Sequence, residues 1–191
     1  MASVSAARDV PARDRLTLIK PPASRVVSDC ARAPATTCVF GRGDSVGDET
    51  IFAFDPALGT SREILKISEP RFPNWGLAKD GSLLAFFAPD PHEGRVRLFS
   101  LRDGTTRDLL VKGWTGLSTL DWASDSRTFF MSSLRPDGTI VMLNVDLQGN
   151  ARPVLTQKNG QMCWAIPSPD GKRLATMLMN GESNAWLLTG F

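Results

Sequence analysis

Ser168-Pro169-Asp170-Gly171, followed within a few residues by an apolar run, has two counterparts upstream: Ala78-Lys79-Asp80-Gly81 and Ala123-Ser124-Asp125-Ser126. The three aspartates stand at one interval, since 125 − 80 and 170 − 125 are both 45. A fixed spacing of this length marks an array of structural repeats. Superposing the chain on itself at that period, without gaps, aligns further columns. Gly59, Gly104 and Gly149 coincide, as do Arg62, Arg107 and Arg152, and Leu65, Leu110 and Leu155. Apolar columns run through Val39, Leu84, Phe129 and Leu174, through Ile51, Val96, Val141 and Trp186, and through Ala53, Leu98, Leu143 and Leu188. The first unit belongs to the array although Ala35 stands where its aspartate is expected. The sequence thus divides into an extension over 1–20, with a candidate closing strand, and units near 21–66, 67–111, 112–156 and 157–191. The first unit is degenerate and the last is short.

Punctuation within a unit predicts its strands. In the second unit, strands are expected over 74–78, 83–88, 95–101 and 106–111, separated by Asp80-Gly81, the loop 89–94 and Asp103-Gly104. Asp-Gly between apolar runs is a strong hairpin signal, because glycine takes positive φ at no steric cost and the aspartate accepts from a nearby backbone N–H. The third unit repeats the order over 118–123, 128–132, 139–145 and 152–156, and no window carries a helical period. Four antiparallel strands in about 45 residues describe a propeller blade. The fold class is all-β: a β-propeller of about four blade units of four antiparallel strands, with both a closed ring and an incomplete propeller left open.

The segment from Trp164 to Ala175, with Pro167-Ser168-Pro169-Asp170-Gly171-Lys172 at its centre, resembles the WD40-like repeat of TolB-type propellers. The ending Ser183-Asn184-Ala185-Trp186-Leu187-Leu188 resembles the C-terminal propeller regions attached to bacterial serine/threonine kinases. The resemblance covers residues 33–191 and implies a propeller whose aligned aspartates are turn residues. Such propellers usually have six to eight blades, and no kinase signature is present in this sequence, so kinase activity is not carried over.

Composition narrows the function little. The net charge of the 191 residues is +2, from 22 basic and 20 acidic residues, and no basic run or stripe points to nucleic acid. No apolar run approaches the roughly 20 residues that span a bilayer. Arg8, Asp9, Arg13, Asp14 and Arg15 occupy the region where a signal peptide needs an apolar core, so the sequence as written reads as cytoplasmic, or periplasmic if it ends a membrane-anchored protein. Cys30, Cys38 and Cys163 lack metal-ligand spacing and are expected as buried thiols, with a Cys30–Cys38 disulfide as the alternative in an oxidising compartment. Asp44, Asp48 and Glu49 are expected in a solvated loop, their order not matching a calcium loop. Neither a cofactor nor a metal is implied.

The one histidine, His92, lies in the loop Pro89 to Gly94 without a nucleophile elbow to serve, so no catalytic residue is assigned. Aromatic and methionine side chains in loops are better suited to a protein interface. Phe72, His92, Trp114, Met162 and Trp164 are the candidate partner-binding residues. Trp114, between Gly113 and Gly116, is the expected exposed anchor, whereas Trp75 and Trp164 have a competing role as filler near the central axis. The Arg62, Arg107 and Arg152 column is expected to guard the outer strand edges. The function expected is non-catalytic protein or peptide recognition, as a scaffold or sensor. Two alternatives stand beside it: a propeller-based hydrolase or lyase with a central-cleft active site, and a truncated fragment of a larger kinase-linked protein. An open ring would favour a homodimer, because a terminal sheet keeps an uncovered apolar face.

Overall fold

A computed structural model of the chain describes residues 26–43, 48–68, 74–158 and 160–180. The extension over 1–20 with its candidate closing strand, Asp44 and Phe72 fall outside those residues. Every regular element described is a β-strand. The first sheet consists of β1 (Val26–Cys30), β2 (Cys38–Gly43), β3 (Glu49–Asp55) and β4 (Thr60–Ile67), hydrogen-bonded in chain order. The second contains β5 (Asn74–Leu77), β6 (Leu83–Phe87), β7 (Arg95–Ser100) and β8 (Thr106–Leu110), and the third β9 (Leu117–Trp122), β10 (Thr128–Leu134), β11 (Ile140–Asp146) and β12 (Ala151–Gln157). A two-stranded sheet, β13 (Gly160–Pro167) with β14 (Leu174–Asn180), follows. All neighbouring strands are antiparallel. The strands expected in the second and third units occur within one or two residues of their predicted bounds.

The repeated phrase forms the tight turn between the first two strands of a sheet. In each copy the aspartate accepts from the backbone N–H two residues on: Ser82 to Asp80 (3.0 Å), Arg127 to Asp125 (2.9 Å) and Lys172 to Asp170 (3.1 Å). The residue after the aspartate takes left-handed backbone, φ 74° at Gly81 and 69° at Gly171, and Ser126 takes φ 58° in the same place. That is the conformation for which glycine is preferred.

Among the described residues, three apolar cores lie between consecutive sheets. Val39, Ile51 and Ile67 of the first meet Leu77, Leu84 and Phe86 of the second. Phe87, Val96 and Leu98 of the second meet Trp122, Phe129 and Leu143 of the third. Ile140 and Met142 of the third meet Cys163 and Ala165 of β13. The four sheets therefore stack in chain order, with the first strands β1, β5, β9 and β13 innermost, as an incomplete propeller.

The apolar columns hold, but not always the same face. Val39 and Leu84 share a column and yet pack into one core from opposite sheets, and so do Val96 and Val141. For Val96 and Val141 the cause is the connection between the second and third strands, since Leu84 pairs with Phe99 whereas Phe129, its column partner, pairs with Val145, one place beyond Asn144. For Val39 and Leu84 the cause is the length of the inner turn. Ala31 N–H reaches Thr37 O across the first inner turn, whereas Ala78 reaches Leu83 and Ala123 reaches Thr128. One extra residue in a turn moves the following strand by one register place and inverts every side chain on it.

Candidate partner-binding face

The segment 111–116, which carries the chain from the outer strand β8 to the inner strand β9, is pinned on both sides. Val111 N–H donates to Gly94 O (2.8 Å) and Trp114 N–H to Val111 O (3.2 Å), so the segment lies against the β6–β7 loop. Gly94 has to be a glycine here, because a Cβ on it would run into the Trp114 carbonyl. On the other side Leu134 N–H donates to Gly116 O (2.9 Å), and Ser133 Oγ donates to Thr115 O (2.6 Å). Gly116 has φ 62°, and a Cβ would meet Leu134 O at 2.5 Å. The Arg135 guanidinium sits 4.8 Å above the Trp114 ring centre, a cation–π contact that orients the indole.

Trp114 is half-buried, its inner part packed on the core between the second and third sheets. Beside it Leu110 is 65% exposed. With His92, Glu93, Gly94, Arg95, Val111, Gly113 and Thr115 they line a depression of about 420 Å3. His92 is exposed, its backbone N–H donating to Asp90 (2.7 Å). Arg95 pairs with Glu93 (3.1 Å) and Asp108 (3.8 Å) on the rim. The two expected residues His92 and Trp114, 22 positions apart (114 − 92), thus come together in one concavity.

Trp164 does not join them. It stands inside β13, pairs with Met177, is 38% exposed and points sideways from the end of the array, so it neither fills the axis nor sits among the loops. Met162 belongs to the same strand, opposite Met179, and its side chain lies outside the described set. Trp75 is half-buried, its Nε1 donating to the Glu49 carboxylate (2.6 Å). Glu49, expected in a solvated loop, is instead only 4% exposed, and Asp48, partly exposed, pairs with Lys66 (3.1 Å).

The cysteines need a correction too. Cys30 and Cys38 face each other across the β1–β2 pair and are joined as a disulfide; Cys163 is a buried free thiol as expected. Burial pushes the Cys163 thiol above its ordinary range, against a smaller opposing effect of Ser132, so little of it is thiolate. In the arginine column, Arg107 donates to Leu147 O of the next sheet (3.1 Å), which adds an inter-sheet contact to its place on an outer strand.

Polar contacts between the inner strands were not read from the sequence. Lys79 lies between Asp121 (3.2 Å) and Asp29 (4.0 Å), bringing three sheets together near the axis. Burial raises the Asp121 carboxyl, Lys79 opposes that, and Asp29 adds to it. Asp29 also accepts from Leu77 N–H (3.1 Å), and Arg32 reaches Pro169 O (3.1 Å). The only available signal was a charge within or beside an otherwise apolar first strand. Among the described residues no three of His, Cys, Asp and Glu stand together as metal ligands, and no helix is long and apolar enough to cross a membrane.

No protein-family model matches the chain, and neither does any curated protein. Among solved structures, TolB from Acinetobacter baumannii is similar over 84% of this chain and 39% of its own, at 17% identity and a TM-score of 0.62. A prolyl endopeptidase is similar over 83% of this chain and 26% of its own, at 14% identity and a TM-score of 0.60. Oligogalacturonate lyase in complex with manganese is similar over 79% of this chain and 46% of its own, at 17% identity and a TM-score of 0.56. The chain has the β-propeller fold of TolB-type proteins and spans about two-fifths of the length of that TolB. Two of these three neighbours are named as enzymes, so the fold by itself does not choose between binding and catalysis.

Proposed function

We propose that this chain is a non-catalytic propeller module that recognises a protein or peptide through the depression around Trp114. The observation that carries the reading is the pairing of a clamped aromatic with an exposed aliphatic. Trp114 is held by Arg135, Gly94 and Gly116 before any partner arrives, and Leu110 offers apolar surface next to it. A rigid aromatic loses little conformational entropy on binding, and anchors of this kind carry most of the energy of an interface. The ligand that fits is an extended segment with one apolar side chain lying between Leu110 and Trp114. Its polar groups would meet His92, Glu93 and Arg95 on the rim.

Peptides selected from a random displayed library on the wild-type protein test the reading, with affinity measured by calorimetry. Leu110→Asp, at an exposed position, should weaken selected peptides by at least tenfold, about 1.4 kcal/mol, with an unchanged melting temperature. Trp114→Ala should weaken them by up to a few kcal/mol, as truncated hot spots do. Peptides that bind both variants as tightly as wild type would overturn it.

A hydrolase or lyase is the second reading, supported by the Asp29–Lys79–Asp121 group near the axis. It requires Lys79→Met to abolish a turnover that survives in Leu110→Asp. A Lys79→Met protein that has lost only stability would leave those three residues a structural role.

A further inference from the structure

Each interior interface joins two different faces, the face of one sheet turned toward the next sheet and the face of that next sheet turned back. At the two ends of the array one face of each kind is left over. In β1–β4, Phe40, Phe52 and Phe54 lie on the side away from the second sheet, opposite Val39 and Ile51, which are 0% exposed. Phe40 stacks on Phe52 with ring centres 4.9 Å apart and meets Phe54 edge-on at 5.7 Å. All three are half-buried, and none belongs to an inter-sheet core. Counting from the inner-turn hydrogen bonds, the place of Phe40 is taken by Phe86 in the second sheet and Met131 in the third, where neighbouring sheets bury them to 3% and 1% exposure.

At the other end, Trp164 and Met177 are a cross-strand pair, and Ile166 and Met179 flank them on the same face. Their exposures run from 38% to 58%, while Cys163 and Ala165 on the reverse face are buried against the third sheet. The places of Trp164 and Met177 are taken in the third sheet by Thr119 and Ser132, which β13 covers through hydrogen bonds to Cys163 O. Among the described residues, an exposed aromatic and methionine surface of the forward kind thus lies at one end of the array, and at the other a half-buried phenylalanine surface of the backward kind on which no described sheet is stacked.

We infer that the Trp164–Ile166–Met177–Met179 face docks on the Phe40–Phe52–Phe54 face of a second copy of this chain, continuing the stacking order of the sheets. A second copy is the occupant these faces favour because it carries the complementary half of both interfaces. Two copies related by a two-fold axis bury all four end faces in one ring, and a rotation that does not close gives longer head-to-tail oligomers. Burying aromatic and methionine side chains in this way is the composition of stable interface cores.

Sedimentation of the full chain across the micromolar range, with Trp164→Glu and Phe52→Glu as variants, tests the inference. Circular dichroism first checks that each variant keeps its sheet structure. Wild type should dimerise, and either variant alone should raise the dissociation constant by about thirtyfold or more, the size of a hot-spot loss. An equimolar mixture of the two variants should dimerise again, because the unaltered Trp164 face of one and the unaltered Phe52 face of the other form one intact interface. Longer oligomers that either variant abolishes support the same docking without closure. A wild-type monomer at every concentration overturns the inference, with the faces then left to solvent or to residues 1–25 and 181–191. A dimer indifferent to both variants, or a mixture that stays monomeric, overturns it as well, the latter in favour of like faces meeting.

Discussion

The indole Nε1 of Trp122 donates a 2.8 Å hydrogen bond to the carbonyl oxygen of Gly76, crossing from the innermost strand of the third sheet to that of the second. The inner strands are sheet edges, and an edge leaves backbone groups without ladder partners. In this protein side chains of the neighbouring sheet serve those groups: Trp122 serves Gly76 O, and Asp29 accepts from Leu77 N–H. Trp122 is also 0% exposed and meets Phe129 edge-on at 5.4 Å, so one residue joins the apolar core to the inner edge.

Trp122→Phe keeps most of the apolar volume and removes the donor. The buried Gly76 carbonyl is then unsatisfied, at about 1–3 kcal/mol. Trp122→Ala adds a cavity and should cost about 3–5 kcal/mol. Urea unfolding checks both: the midpoint should fall in that order with little change in slope, and a Phe variant as stable as wild type would remove the hydrogen bond from the account.

Ser126 carries two opposed effects. Its φ of 58° is unfavourable for a residue with a Cβ, while its Oγ accepts from Asp80 N–H (3.0 Å) across the second inter-sheet boundary. Ser126→Ala keeps the strain and loses the acceptor, so it should destabilise by about 1 kcal/mol. Ser126→Gly relieves about 1–2 kcal/mol of left-handed strain and loses the same acceptor, leaving a net change near zero. Thermal melts of the two variants should therefore differ by several degrees, with the glycine variant the higher.

The Cys30–Cys38 disulfide closes a loop with a sequence separation of 8. Constraining a loop of that size in the unfolded chain stabilises the protein by about 2–3 kcal/mol in the chain-entropy treatment. Reductant should lower the unfolding midpoint accordingly. Thiol titration of the denatured, unreduced protein should find only Cys163; finding all three cysteines free would remove the bridge.

Two groups of carboxylates act in opposite directions on acid stability. Asp103, Asp137, Asp146 and Asp170 are held below their ordinary value of 3.8 by hydrogen bonds, chiefly from Thr105, Thr139, Asn150 and Ser168 respectively. Their contribution is complete above the unfolded value and is lost as pH falls below 3.8 through the depressed folded values. Asp121 is raised by burial, so the folded protein holds its proton longer, and the stability it contributes declines as pH rises from 3.8 through the raised value. The stability of wild type relative to Asp121→Asn should therefore be greater at pH 4 than at pH 7. Unfolding curves at both values measure it, and a difference that grows with pH would contradict the assignment.

What the sequence determined by itself is the local and periodic part of this protein. Asp80, Asp125 and Asp170 accept from a backbone N–H only two residues away, so their function is written in four consecutive letters and survives any packing. The same is true of the strand bounds and of the Gly59, Gly104 and Gly149 column, each with φ between 65° and 79°. The period announced stacked sheets, because a four-stranded unit cannot bury both its faces alone. The placement of the candidate residues was legible in part: loop position brings His92 and Trp114 into one depression, whereas Trp164 lies inside β13, where alternation turns it to the end of the array.

Only the tertiary structure decided which face each apolar residue takes and which residues meet across the sheets. A single extra residue in the first inner turn sets Val39 against Leu84, although the period aligns them. The contacts of Trp122 with Gly76, Glu49 with Trp75, and Lys79 with Asp29 and Asp121 join residues 26 to 50 positions apart. They depend on how one sheet rotates onto the next, a quantity that arises from packing and has no local signature in the chain. The two end faces have the same origin, since whether an apolar face is a core or a docking surface depends on what stacks upon it.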